Sequence, residues 1–177
     1  MNTRVLCLGN ALLADDALGP EVARRLRLVV SGAEPHHPLD DSEVMETAET
    51  GFYLLEYVLG CSRLIVIDVI ASGAGPPGTI YQLREQDVAS PPGASPHYVG
   101  LFETVAVARG LGLPVPTDIT VFAVEAADLT TIGGAMSEAV CRALPGVLAA
   151  VEEAVRGAQA PPVVSAAEPL PGVERCA

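Results

Sequence analysis

Hydrophobic and polar positions along the chain follow two alternating periods, with breaks at clusters of glycine and proline. Five short runs have the largely apolar, β-branched composition of strands. These predicted strands are 3–8 (TRVLCL), 42–48 (SEVMETA), 63–70 (RLIVIDVI), 79–84 (TIYQLR) and 118–124 (DITVFAV). The run 63–70 is apolar on both faces, which is typical of a central strand covered on both sides. The run 79–84 alternates and predicts an edge strand.

Four longer segments repeat their apolar positions at helical spacing. These predicted helices are 19–30, 51–60, 99–110 and 137–156. Pro145 falls inside the last of them and predicts a kink or a break. Because strands and helices alternate, we expect an α/β fold: a three-layer sandwich with a twisted, mostly parallel sheet of about five strands and helices on both faces. A single domain is expected over residues 1–157, followed by a disordered Pro/Ala-rich tail at 158–177.

The net charge of the chain restricts the kinds of molecule that we expect it to bind. The chain has 22 Asp and Glu residues against 10 basic ones, a net charge of −12, and every basic residue is arginine. The absence of lysine excludes a lysine Schiff base and a P-loop lysine, and the acidic balance argues against nucleic acid or an anionic membrane as a partner. A basic peptide or a cation fits this charge, as does an ordinary solvated surface. Neither a membrane span nor a secretory signal is evident, so we expect a cytoplasmic protein.

Candidate chemistry lies at the carboxyl ends of the predicted strands, where open α/β sheets bind ligands. Asp15 and Asp16 follow the first strand, Asp68 lies near the end of the third, and His97 lies in a loop before the third helix. Two carboxylates and an imidazole suit Zn²⁺ or Ni²⁺ at about 2.0–2.2 Å, with one coordination position left for water or substrate. Simpler explanations stay open. Asp15 and Asp16 could be acids that cap the following helix or are solvated, and His97 could be a loop residue without a function.

Asp68 is harder to explain without a function, because a carboxylate buried among apolar residues is costly. The second strand ends near Glu46, Glu49, Thr50 and Gly51, and the fifth ends at Glu125.

We find no Ser–His or Cys–His nucleophile grouping, and the four cysteines are predicted to be buried small hydrophobes.

Three segments together resemble the signature motifs of one family, the hydrogenase maturation endopeptidases. Segment 9–19 (GNALLADDALG) is similar to the family's N-terminal signature G-N-x-L-x-x-D-[DE]-x-x-G. Segment 65–69 (IVIDV) resembles its second motif, an aspartate that ends a hydrophobic strand, and segment 95–101 (SPHYVGL) resembles its S-x-H-x-x-G-L motif. The motifs occur in the family's order, and the resemblance covers the chain from residue 3 to about residue 157.

The resemblance implies an endopeptidase that removes the C-terminal extension of a nickel–iron hydrogenase large-subunit precursor after nickel insertion. It implies that Asp16, Asp68 and His97 form one metal-binding and catalytic cluster, whose individual roles are unresolved. The metal would be nickel supplied by the substrate, zinc or cadmium would also fit the site, and no organic cofactor is expected. A twisted sheet with helices on both faces is the fold implied.

One segment departs from the family pattern. Family members commonly have an aspartate followed by Gly-Gly-Thr after the second strand, whereas residues 46–51 read ETAETG and agree clearly only at Gly51. We expect a substrate loop formed by Asn10, Glu46, Thr50 and Gly51. The departure keeps open a second hypothesis, a non-cleaving, metal-sensing maturation chaperone of the same fold. A third, a nucleotide-binding α/β module, lacks support because segment 9–12 does not continue into G-x-G-x-x-G.

Overall fold

A single sheet forms the centre of the protein, whose computed structural model describes residues 2–32, 37–85 and 96–157. Its strands are β1 (Thr3–Leu8), β2 (Ser42–Thr47), β3 (Arg63–Ile70), β4 (Ile80–Arg84) and β5 (Asp118–Glu125). They lie in the order β2-β1-β3-β5-β4, and all neighbours are parallel except β4, which pairs antiparallel to β5 at the edge. The predicted mostly parallel sheet is confirmed, as is the edge position of the fourth strand.

Helices connect the strands. They are α1 (Leu18–Gly32), α2 (Leu55–Val58), α3 (Pro96–Gly110) and α4 (Glu138–Val155). Two 3₁₀ turns, Asp15–Ala17 and Gly51–Leu54, precede α1 and α2. Within residues 2–32, 37–85 and 96–157, no helix combines the length and apolarity needed to cross a bilayer. The predicted disordered tail at 158–177 lies outside the described residues and stays a prediction.

Two helix predictions need correction. The segment 51–60 was expected to be one helix, but it begins as a 3₁₀ turn and has a single α-helical turn before Gly60, whose φ of +82° ends it. Pro145 does not break α4, which continues through it. The proline removes one intrahelical hydrogen bond, but buried residues on both sides of it pack α4 against the sheet and outweigh that loss. These are Val140, Leu144, Val147 and Val151.

The core has two layers, one on each face of the sheet. Alternate residues of β1, β3 and β5 pack against α1 and α4 on one face, and the intervening residues pack against α2 and α3 on the other. The second layer includes Leu6 and Leu8 of β1, Val66 and Ile70 of β3, and Leu101 of α3. The helices on both faces confirm the predicted three-layer arrangement.

The strand order creates a crevice at one edge of the sheet. From β1 the chain passes to β2 on one side, and β3 then pairs with the other side of β1, so the order reverses between β1 and β3. Ligands of open α/β sheets bind at such a switch point, outside the carboxyl ends of the strands. We call this side of the sheet the C-terminal edge and the opposite side the N-terminal edge.

Candidate active site

Asp16 is held in a tight turn directly after β1. Gly9 there has a φ of +141°, and a Cβ on it would lie 2.2 Å from the carbonyl oxygen of Asp16, so only glycine fits. The backbone N–H of Asn10 donates a hydrogen bond of 2.8 Å to Oδ2 of Asp16, and Oδ1 of Asn10 accepts one of 3.0 Å from the N–H of Leu12. The glycine and the asparagine of segment 9–19 therefore place a buried carboxylate at the C-terminal edge.

Asp68 lies on β3 and is fully buried. It falls between Val66 and Ile70, which belong to the layer beneath α2 and α3, so side-chain alternation places Asp68 on the same face. Its Oδ1 accepts a hydrogen bond of 2.8 Å from the N–H of Val69. The 3₁₀ turn that carries Asp16 contacts β3, so both acids lie on adjoining elements at the switch point.

His97 lies in the first turn of α3, not in a loop as expected. Gly100, one turn further along α3, packs so closely against Gly51 that a Cβ on Gly100 would lie 2.8 Å from the Cα of Gly51. At the other end of α3, Arg109 pairs with Glu85 at 2.6 Å at the N-terminal edge. The helix therefore begins at the C-terminal edge, on the face that holds Asp68. The His97 side chain lies outside what the structure describes. Among the described side chains no group of three could hold a metal, so the three-residue cluster stays a prediction.

Three of the four residues assigned to the substrate loop lie in loops at the C-terminal edge: Asn10, Thr50 and Gly51. Glu46 does not. It belongs to β2, and its carboxylate pairs with Nη1 of Arg27 on α1 at 2.7 Å. Glu46 is therefore a strand residue, within the predicted strand 42–48, and its contact with substrate stays a prediction. Contact of the other three with substrate stays a prediction.

A family match identifies this arrangement of strands and acids. Residues 26–154 match the model of the HycI family, described as hydrogenase maturation protease. The chain belongs to the hydrogenase maturation protease family. The matched span contains Asp68 and His97, whereas Asp16 precedes it.

Two bacterial relatives carry names from hydrogenase maturation. The chain is 30% identical over 155 residues to hydrogenase expression/formation protein HupD of Rhodobacter capsulatus, which covers 86% of this chain and 69% of that protein. It is 32% identical over 115 residues to hydrogenase 2 maturation protease of Escherichia coli strain K12, covering 63% of this chain and 66% of the relative. Membership in the family therefore identifies the chain as an endopeptidase of hydrogenase maturation.

Solved structures of family members share the fold. The hydrogenase maturating endopeptidase HybD of E. coli superposes with a TM-score of 0.72 at 26% identity and covers 89% of this chain and 93% of that chain. The [NiFe] hydrogenase maturation protease HybD of Thermococcus kodakarensis has a TM-score of 0.68 at 20% identity, with coverages of 88% and 99%. These likenesses confirm the predicted α/β sandwich.

Asp15, which we expected to be solvated or capping, is instead fully buried and has a structural role. Its Oδ2 accepts hydrogen bonds from the N–H groups of Ala127 and Asp128 at 2.7 and 2.8 Å, and Oδ1 accepts one from the N–H of Ser137 at 2.6 Å. The hydroxyl of Ser137, the residue that caps α4, also donates to Oδ2 at 3.0 Å. One carboxylate thus joins the turn that carries Asp16 to the loop after β5 and to the start of α4.

Glu125 is another buried acid at the C-terminal edge. Its carboxylate accepts a hydrogen bond from the hydroxyl of Ser72 and another, of 2.8 Å, from the N–H of Gly73. It follows Ala123 by two positions on β5 and so shares the face of Asp68. Glu125 was predicted to lie at the end of the fifth strand. The structure adds that its carboxylate fixes the loop after β3 to the end of β5.

Two of the described cysteines, Cys7 and Cys61, are unsuited to act as an alternative nucleophile. Cys7 and Cys61 are buried, as predicted, and Cys141 is half-buried. Burial raises the pKa of the Cys7 thiol to about 12 and also raises the pKa of Cys61. Both thiols are therefore protonated at neutral pH, and a protonated thiol is a poor nucleophile.

Replacing Gly100 with alanine should impair the site through the position of α3. The new Cβ would lie 2.8 Å from both Cα and N of Gly51, and backbone cannot move aside cheaply. We expect a loss of about 1–3 kcal/mol in the free energy of unfolding and a cleavage rate at least about tenfold lower, because the first turn of α3 carries His97. Gly110→Ala in the same helix is the control, since its Cβ would meet nothing within 4 Å. Thermal unfolding and precursor cleavage measure both effects; wild-type values for Gly100→Ala would contradict the prediction.

Proposed function

We propose that the protein removes the C-terminal extension of a nickel–iron hydrogenase large-subunit precursor once nickel has been inserted. The observation that carries the proposal is the placement of two buried carboxylates, those of Asp16 and Asp68, on adjoining elements at the switch point of the sheet. The helix that carries His97 begins at the same edge. Membership in the maturation protease family supplies the reaction class.

In this proposal, Asp16, Asp68 and His97 bind the nickel ion that the precursor brings with it. Two carboxylates and one imidazole are oxygen and nitrogen donors that suit Ni²⁺, and three protein ligands leave a coordination position for the substrate. Because nickel belongs to the substrate, an empty precursor lacks the ion that holds it in the site. The same residues then act both as a test of nickel insertion and as the catalytic cluster.

Two chemistries are compatible with these donors. The bound ion supplies a Lewis acid, worth several kcal/mol of transition-state stabilisation when it polarises the scissile carbonyl. Alternatively, the carboxylate of Asp16 accepts the proton of the attacking water as a general base. In either case the hydrogen bond from the Asn10 N–H holds the Asp16 carboxylate in place.

The test uses the full chain with a cognate precursor in nickel-loaded and nickel-free forms, and mass spectrometry follows the loss of the C-terminal extension. Cleavage of the loaded form alone is the expected result. Equal cleavage of both forms would overturn the nickel requirement. Binding of the loaded form without cleavage would overturn the peptidase and favour the maturation chaperone of the same fold. His97→Ala should lose cleavage, while His37→Ala, a histidine remote from the motifs, should retain it.

A further inference from the structure

The end of β3, which carries Asp68, pairs with a neighbouring strand on one side only among the strands that the structure describes. Pairing of β3 with β1 ends at Ile67. Pairing with β5 continues to the last residue of β3, where Ile70 lies opposite Glu125. The side towards β1 opens into the crevice at the switch point. The position of Asp68 therefore depends on what attaches the end of β3 to β5.

Glu125 attaches both ends of the loop between β3 and β4, which crosses the end of β5. Its carboxylate accepts a hydrogen bond from the hydroxyl of Ser72 and another, of 2.8 Å, from the N–H of Gly73. Its backbone carbonyl accepts one of 2.7 Å from the N–H of Gly78, and its N–H donates to the carbonyl of Thr79 at 2.9 Å. One buried residue therefore fixes the chain where it leaves β3 and where it enters β4.

Three polar side chains share one face of the sheet around a small residue of β5. Asp68 on β3 and Tyr81 on β4 both lie opposite Ala123, which is fully buried. Glu125 follows Ala123 by two positions, so its side chain lies on the same face, closer to the C-terminal edge. The carboxylate that fixes the loop is thus one strand away from Asp68 and on its own face.

The Tyr81 hydroxyl packs against the same loop without a hydrogen bond to it. A Cβ on Gly75 would lie 2.6 Å from this oxygen, so the loop backbone lies directly over it. Among the residues that the structure describes, the Tyr81 hydroxyl is the one buried side-chain oxygen or nitrogen that has no hydrogen-bond partner. Tyr81 therefore contributes packing, whereas Glu125 is the side chain that fixes the beginning of the loop by hydrogen bonds.

We propose that Glu125 is a positioning residue for Asp68 in the cleavage reaction. By holding the beginning of the loop, its carboxylate keeps the end of β3 against β5 and so fixes the Asp68 carboxylate relative to Asp16 across the crevice. Precise placement matters because a displacement of about 1 Å at a reacting group costs about 10²-fold in rate. This inference rests on the proposed function and adds to it a residue that does not itself contact substrate.

The first measurement is amide hydrogen exchange, followed by NMR on the full chain without precursor. We expect Glu125→Ala to raise the exchange rates of the Val69 and Gly73 N–H groups by about tenfold or more, because the end of β3 and the loop open locally. Glu125→Gln should remain close to the wild type, since its amide oxygen still accepts from the N–H of Gly73. Tyr81→Phe is the control in the same cluster and should leave both rates unchanged, because the lost hydroxyl has no partner.

The second measurement is kcat and KM on the nickel-loaded precursor. We expect Glu125→Ala to lower kcat about 30- to 100-fold with KM within about threefold of the wild type, because Asp68 acts at the reacting bond. Glu125→Gln should lose less than about fivefold in kcat, since it keeps an acceptor oxygen. Val147→Ala is the control for stability: it removes buried carbons on the opposite face of the sheet and lowers the melting temperature. At a temperature where it is folded, it should keep the wild-type kcat.

The outcomes separate this inference from the proposed function. Faster exchange in Glu125→Ala with a wild-type kcat, or an equal loss of kcat in Val147→Ala, would overturn the positioning role and leave the peptidase intact. A lowered kcat without faster exchange would overturn the route through the end of β3. A wild-type chain that neither binds nor cleaves the precursor would overturn the proposed function and this inference with it. Where Glu125→Ala does not fold, Ser72→Ala removes only one donor and should lower kcat about fivefold.

Discussion

Replacing Asp68 with asparagine should lower the rate of precursor cleavage by at least about 10³-fold without unfolding the protein. The two side chains have nearly the same volume, so packing in the layer beneath α3 is kept, and the amide oxygen still accepts the hydrogen bond from the N–H of Val69. In the proposed site, this change removes one anionic oxygen donor for nickel. Single-turnover cleavage of nickel-loaded precursor measures the rate, and circular dichroism with thermal unfolding checks the fold.

Two further variants make the Asp68 prediction sharper. Asp118→Asn changes an acid on the neighbouring strand at the N-terminal edge, where it pairs with Arg63 at 2.8 Å, and should keep wild-type cleavage. The double variant Asp16→Asn/Asp68→Asn should be about as slow as either single variant, because ligands of one ion act as a unit. Asp68→Asn cleavage within tenfold of the wild type would contradict the assignment.

The sheet was predictable from sequence because its strands are defined by composition. Residues 3–8 and 63–70 are apolar runs bounded by polar or turn residues, and β1 and β3 have the same bounds. The fifth strand extends one residue beyond the predicted run 118–124, to Glu125, whose carboxylate accepts hydrogen bonds from Ser72 and Gly73 in the loop after β3. The helical spacing of apolar residues was a poorer guide at 51–60, because this segment forms only one α-helical turn before β3.

The candidate site was predictable only in part. Strand-end position and motif resemblance both pointed to Asp16 and Asp68, which the structure places at the switch point. The role of Asp15 left no local signal, because its partners lie 112 to 122 residues away along the chain. The salt bridge of Glu46 with Arg27 left no local signal either, because the two residues are on β2 and α1 and only tertiary packing brings them together.

Replacing Asp15 with alanine should destabilise the protein more than any other single change at the C-terminal edge. The change removes a fully buried carboxylate and leaves three N–H groups, those of Ala127, Asp128 and Ser137, without their acceptor. We expect the free energy of unfolding to fall by about 3–5 kcal/mol, and the melting temperature by roughly 10 °C, because a hydrogen bond to a charged group is worth about 1.5–3 kcal/mol and several are lost together. Urea and thermal unfolding followed by circular dichroism measure the loss.

The neighbouring Asp16 provides the matched comparison, because two adjacent acids of one motif have separate roles. Asp16→Ala should lower stability less, by about 1–2 kcal/mol, because it removes the acceptor of the Asn10 N–H, but it should abolish cleavage. Where Asp15→Ala does not fold, Asp15→Asn keeps one acceptor oxygen and allows the same comparison. At a temperature where both variants are folded, Asp15→Asn should retain measurable cleavage and Asp16→Asn none. Equal losses of stability for Asp15→Ala and Asp16→Ala would contradict this division, because only Asp15 joins the loop after β5 and α4 to the turn that presents Asp16.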